Sequence, residues 1–362
     1  MSEGRFAPWT DRLAAIRAAD QWRTLRTVAP TGPTTGTVDG RPCILACTND
    51  YLGLAWDPTV RAAATGGGAG GSRLISGTRP AHHALEAALE ERFGRPALFF
   101  PSTWHANLAV LQAAFAPGDE VASDALNHAS IIDGLRLGRA TRRVVPHADP
   151  DAVPATARAV VVEGLFSMDG DSPDLRRYPT APWLIVDEAH AVGALGPDGR
   201  GAAAAQGVTP DVLIGAFGKA YGAAGGFVIG PPALRELLIN AGRSFLFTTA
   251  PPEPVAALAL AGLRAATDER RAALADRVAQ LRRGLQALGW SPLGHAHIVP
   301  LVVGPNALAL AARLLERGVF APAIRYPTVP RGQERLRFTV SAAHTPTQID
   351  QILAALGPAP AS

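Results

Sequence analysis

Residues 183–193 read WLIVDEAHAVG. Four apolar residues, Trp183 to Val186, run straight into an acid, Asp187. A run this short and this uniformly apolar suits a strand buried on both faces, the usual state in a parallel sheet covered by helices. Similar runs recur: ALFF (97–100), EVAS (120–123), RAVVVE (158–163), DVLIGA (211–216) and GFVIG (226–230). Helical segments lie between them, such as ALEAALEERFG (84–94), closed by Gly94. This alternation predicts an α/β fold with a mostly parallel sheet. Asp187 then stands at a strand's carboxyl end, the edge where open α/β sheets bind ligands, and His190 can reach the same pocket.

The flanks read differently. Arg12 to Arg26 suggests an opening helix, and RPCILACT (41–48) a strand after a turn at Asp39-Gly40. From Asp268 onward, Leu274, Val278, Leu281, Leu285 and Leu288 recur every three or four residues, which predicts a long amphipathic helix stopped by Gly289. HIVPLVV (297–303), a helix near 306–317, LRFTVS (336–341) and a last helix after Pro346 suggest a small C-terminal α+β domain. The expected division is 1–55 for an N-terminal segment, 56–265 for a large domain and 266–362 for the small one.

Bulk composition narrows the classes. The 362 residues are 48% hydrophobic and 18% charged, with a net charge of +3, so nucleic-acid binding is not implied. No apolar run reaches the roughly 18 residues of a membrane span, and MSEGRFAPWT has no signal-peptide core. Cys43 and Cys47 could form a disulfide or half a metal site, but no second pair exists, and small apolar positions on a strand are expected. A cytoplasmic protein without a metal site is the expectation.

One residue stands out. Of 34 basic residues, Lys219 is the only lysine. A guanidinium stays protonated, whereas a desolvated ammonium can lose its proton and attack a carbonyl. Lys219 follows an expected strand and sits among Gly218, Gly222, Gly225 and Gly226, which allow close approach of a planar ligand. No Ser or Thr follows it, so it is not a phosphate-loop lysine. A Schiff-base lysine suggests pyridoxal phosphate (PLP), which also needs a carboxylate on its pyridinium nitrogen and donors on its phosphate. Asp187 can supply the first.

The motifs around these residues resemble those of the α-oxoamine synthases, a family of fold-type I PLP-dependent transferases. They are TNDYLGL (48–54), GGSRLISGTRPAHHALE (70–86), SDALNHASIIDG (123–134), EGLFSMDGD (163–171), VDEAHAVGALGPDGRG (186–201), AFGKAYG (216–222), FLFTTAPP (245–252) and RLRFTVSAAHT (335–345). The resemblance runs from about Ala14 to Leu356 and implies a seven-stranded, mostly parallel sheet in the large domain. It makes Lys219 the Schiff-base lysine and proton carrier, and Asp187 the partner of the pyridinium nitrogen. His190 and Ser167 would bond the ring hydroxyl, His128 would stack on the ring, and Glu163 would lie in the cofactor's surroundings. Backbone N–H groups near Thr103 and Trp104 would hold the phosphate, with Thr248 reaching it from the other subunit of a homodimer. Arg337, helped by Asn49, would take the amino-acid carboxylate.

The implied reaction is a decarboxylative condensation of an amino acid with an acyl thioester of coenzyme A or a carrier protein. RAADQWRTLR (17–26) resembles members that join L-alanine to a pimeloyl thioester, the favoured reading, while YPTVPRG (326–332) resembles both those members and the 5-aminolevulinate synthases. Arg23 would meet the far carboxylate, while Arg17 and Arg26 face solvent. The alternatives are a glycine C-acetyltransferase, a 5-aminolevulinate synthase, a secondary-metabolism acyltransferase, or a non-catalytic PLP-binding protein. Three positions depart from the family. Ala216 stands where Ser or Thr is frequent, Thr103 where Gly is common, and ATGGGAGGSR (64–73) lacks the usual tyrosine. The first two imply altered phosphate contacts.

Overall fold

A computed structural model describes residues 4–360. Near the N-terminus, β1 (Val28–Pro30), β2 (Thr35–Val38) and β3 (Arg41–Leu45) form an antiparallel meander. Asp39 and Gly40 turn between β2 and β3 with φ of 49° and 82°, the two left-handed residues that a tight hairpin of this hand needs. The central sheet holds β4 (Ala97–Phe100), β5 (Glu120–Asp124), β6 (Thr141–Val145), β7 (Ala159–Glu163), β8 (Trp183–Asp187), β9 (Val212–Ala216) and β10 (Gly226–Ile229). Their order is β4-β10-β9-β8-β7-β5-β6, and only β10 runs antiparallel to its neighbours.

Six of these strands lie on the apolar runs read from the sequence. β6 escaped because it is the edge strand and reads TRRVV. Only one of its neighbours is a strand, so Arg142 and Arg143 can point to water, and charge there also blocks further pairing. Residues of β7 and β9 are buried throughout, as helices on both faces require.

The C-terminal part contributes β11 (Ile298–Val302), β12 (Val319–Phe320), β13 (Ala323–Ile324) and β14 (Arg335–Thr339). β11, β14 and β13 form one antiparallel sheet. β12 pairs in parallel with β3, so strands from the two ends of the chain complete a single four-stranded sheet. The helix Asp268–Ala287 buries Leu274, Val278, Leu281 and Leu285 on one face and ends before Gly289, at φ 81°.

Two expectations are corrected. The opening helix covers Ala7–Ala18 and stops there: Asp20 takes a left-handed φ of 55°, and residues 21–27 run on without helix. No residue of this helix is buried, so nothing holds the pattern together beyond its own propensity. Cys43 is buried on β3, but Cys47 lies half-buried in the turn beyond it; both are free thiols.

Candidate active site

The carboxyl ends of β7 and β8 lie side by side, with Glu163 in register with Asp187. Burial, and then the neighbouring Asp187, push the Glu163 carboxyl well above its usual range. Its Oε1 accepts the backbone N–H of His128 at 2.6 Å. Asp187 is held on both oxygens: the Ala189 N–H donates to Oδ1 (2.9 Å) and Asn107 Nδ2 donates to Oδ2 (2.8 Å).

Asn107 is fully buried in the helix Thr103–Ala113, and its Nδ2 also donates to Ser130 Oγ at 2.9 Å. Ser130 Oγ lies 2.8 Å from Nδ1 of His128, and that nitrogen accepts the Ser130 N–H at 3.2 Å. A continuous chain of hydrogen bonds therefore joins Asp187 to His128. Sequence reasoning missed Asn107 and Ser130. The one signal was an amide set in the apolar helix TWHANLAVLQA, where a buried polar group must find a partner.

Lys219 lies in the loop after β9. Burial lowers its amine from the ordinary 10.5 to about 8, although Asp187 and Glu163 pull the other way. The loop folds back on itself, with the Phe217 N–H donating to Gly225 O at 2.9 Å and the Gly222 N–H to Lys219 O at 2.9 Å. Gly222 sits at φ 64° against the backbone of Leu54 and Ala55, where a Cβ would not fit. Thr103, Trp104, His128, Asp187, His190 and Lys219 line one cavity. Trp104 meets the His128 ring edge-on, 6.1 Å between centroids.

His190 occupies the turn after β8. Burial, then the charges of Lys219 and Arg337, keep it far below the usual histidine range, hence neutral. Its Nδ1 is 2.7 Å from the hydroxyl of Tyr51, which is fully buried. Tyr51 sits within the TNDYLGL stretch but was not singled out from the sequence.

Arg337 on β14 is buried, at 7% exposure. Its Nε donates to Ser167 O at 2.6 Å, and its Nη1 lies 3.5 Å from Asn49 Oδ1. Ser167 thus joins the site through its carbonyl. Arg335, two residues earlier, is already paired with Asp169 at 2.7 Å, whereas no carboxylate among the described residues lies within ion-pair distance of Arg337. A buried guanidinium without a counter-ion is a receptor for an anionic ligand.

Thr103 opens its helix, and its hydroxyl donates to Gly215 O at 3.2 Å, beside Ala216. The two departures from the family pattern therefore meet in space. Gly226 packs against the backbone of Ser102 and Thr103, bringing the helix N-terminus onto the sheet edge. The first N–H groups of such a helix have no intrahelical partners and favour a phosphate.

Ser167, Asn49 and Arg337 do not line the cavity but are joined to one another through Arg337, and two further predicted residues, Thr248 and Arg23, are not brought to the cavity of this chain. Thr248 follows the short helix Arg243–Leu246 and does not line the cavity. Arg23 is exposed on the extended segment and donates to Thr328 Oγ1 at 3.3 Å. The same segment accepts two further bonds from Arg325, to Asp20 O and Trp22 O, both 3.0 Å. The stretches 17–26 and 326–332 are thus neighbours.

The donor set fits PLP: an amine of lowered basicity, a fixed carboxylate at the sheet edge, a flat imidazole, and free N–H groups at a helix start. The comparisons agree. The family described as aminotransferase class I and II matches residues 41–356. The 8-amino-7-oxononanoate synthase of Anaeromyxobacter sp. (strain K) is 45% identical over 372 residues, 95% of this chain and 94% of that one. A serine palmitoyltransferase from S. paucimobilis, solved with PLP and myriocin, superposes with a TM-score of 0.89 at 29% identity, over 98% of this chain and 97% of that one. An 8-amino-7-oxononanoate synthase from Francisella tularensis superposes at 0.75 with 28% identity, over 87% and 96%.

Proposed function

The chain belongs to the class I and II aminotransferase family, and within it to the PLP-dependent α-oxoamine synthases; on that premise we propose that it joins L-alanine to a pimeloyl thioester, giving 8-amino-7-oxononanoate for biotin synthesis. The observation that carries the reaction class is the grouping of Lys219, Asp187, His128 and His190 around one cavity, with the unpaired Arg337 nearby. The relatives at 45% identity favour the pimeloyl chain.

Bound PLP supplies an electrophilic carbon and an electron sink. The chain's residues do the rest. Lys219, with its amine at about 8, can shed and regain a proton near neutral pH, as a group that moves the amino acid's α-proton must. Asp187, fixed on both oxygens, would offer its charge to the ring nitrogen. The N–H groups of Thr103 and Trp104, at the helix start, would hold the phosphate. Arg337, with Asn49, would clamp the amino-acid carboxylate and so fix the orientation of the α-carbon.

A homodimer with shared sites completes this reading. Ile75 and Phe247 are 84% and 72% exposed, and the segments carrying them are joined by the Ala250 N–H to Gly71 O bond. Apolar side chains this bare beside Thr248 favour burial by a second copy, which would bring Thr248 to the neighbouring phosphate.

A second reading follows from the superposition at 0.89 on serine palmitoyltransferase, against 0.75 on the Francisella synthase: L-serine and a long acyl chain. Mass analysis of products from a matrix of L-alanine, L-serine and glycine with pimeloyl, acetyl, succinyl and palmitoyl thioesters separates them. Product from L-alanine and the pimeloyl donor is expected. Turnover only with palmitoyl donors would overturn the pimeloyl assignment.

A further inference from the structure

Tyr51 holds a position the reaction class alone does not explain. Its hydroxyl has two acceptors in reach, His190 Nδ1 at 2.7 Å and Asn49 Oδ1 at 3.1 Å, and a single proton to give. Its ring is fixed from behind by His297, 4.0 Å between centroids. His297 Nε2 in turn donates to the His190 carbonyl at 3.0 Å, so both the backbone and the ring of His190 are anchored. The imidazole nitrogen is the more basic acceptor and the closer one. Asn49 Oδ1 has Arg337 as an alternative donor.

We propose that Tyr51 is a positioning residue that gives its proton to Nδ1 of His190 and so holds that imidazole in the tautomer protonated at Nε2. The inference rests on the PLP reading. His190 is neutral in this burial and carries one ring proton, so an occupied Nδ1 lone pair leaves that proton on Nε2. His190 lines the cavity, and an Nε2–H there can donate to the cofactor's ring oxygen. The opposite tautomer would set a lone pair against that oxygen.

The test begins with the full-length, cofactor-free protein labelled with ¹⁵N-histidine. The His190 resonances, assigned by their loss in His190→Gln, should show a proton on Nε2 in the wild type. In Tyr51→Phe, part of the population should move to Nδ1. With PLP loaded, the pH midpoint of the visible band should rise by about one to two units in Tyr51→Phe, the size of one lost charge-assisted hydrogen bond. In the His190→Gln background, Tyr51→Phe should move the midpoint no further. A wild-type His190 protonated at Nδ1 would overturn the proposal, as would an equal shift in both backgrounds. The tautomer measurement needs no acyl donor, so a failed pimeloyl assay would leave it standing.

Discussion

Lys219 and Arg337 show how far residue type reaches. A single lysine among 33 arginines advertised itself, and its predicted role gains a physical basis from burial, which lowers the amine to about 8. Two outcomes follow. Capture of PLP by the cofactor-free protein should quicken as pH rises through about 8, not through the 10.5 of a free lysine, because only the neutral amine attacks. Stopped-flow mixing across pH 6.5–10 measures this. Lys219→Ala should lower turnover by more than about 10⁴-fold, since one side chain serves as nucleophile and proton carrier. Borohydride reduction of wild type should leave PLP on the Lys219 peptide alone; label elsewhere contradicts the assignment. Arg337 was legible from its motif, but Arg335 is the same residue type on the same strand. The ion pair between Arg335 and Asp169 separates it from Arg337, which has no carboxylate partner among the described residues.

At the scale of elements, loops and edges carry what periodicity cannot. The EGLFSMDGD segment, which presents Ser167 O to Arg337, is pinned by a histidine that no motif indicated. His147 bridges Asp124 (3.0 Å) and Asp171 (2.9 Å). Burial works against its charge, but the two carboxylates outweigh burial and push it up to about 10. A histidine raised in the folded state stabilises fully below its ordinary value near 6.5, and that contribution disappears as pH rises through about 10. Thermal melts should therefore show wild type more stable than His147→Gln at pH 6, with the gap closing by pH 10. A constant gap would mean packing, not charge, is at work. The extended segment 21–27 bears on the acyl donor. If Arg23 meets the far pimeloyl carboxylate, Arg23→Ala should raise the Michaelis constant for pimeloyl-coenzyme A about 10- to 150-fold, the worth of one charge-assisted bond. Arg17, stacked on Trp22 at 3.6 Å, is the control. Equal effects of Arg17→Ala and Arg23→Ala would remove Arg23 from the acyl site.

At the scale of the whole molecule, the proposed shared site makes a sharp expectation. Lys219→Ala chains mixed with Thr248→Ala, Thr249→Ala chains should regain part of the activity, because each heterodimer gathers both lesions in one site and leaves the other intact. A fully active monomer in sedimentation and assay would exclude sharing. The chain's ends also meet: β12 completes the sheet that β1–β3 begin, tying the N-terminal segment to the C-terminal part. What the sequence determined by itself was whatever depends on local composition: six apolar central strands, the amphipathic helix on Leu274 to Leu285, and the choice of Lys219 and Asp187 as candidates through residue type and spacing, whereas His128 and Arg337 were pointed to only by resemblance to a family. The tertiary structure alone decided what depends on meeting across the chain. β6 is a strand because it hydrogen-bonds to β5, despite Arg142 and Arg143. Asn107 matters because its helix crosses 80 residues of separation to reach Asp187, and Tyr51 because it crosses 139 to reach His190. A buried polar group takes its role from the partner that replaces water, and that partner is set by the fold rather than by sequence neighbours.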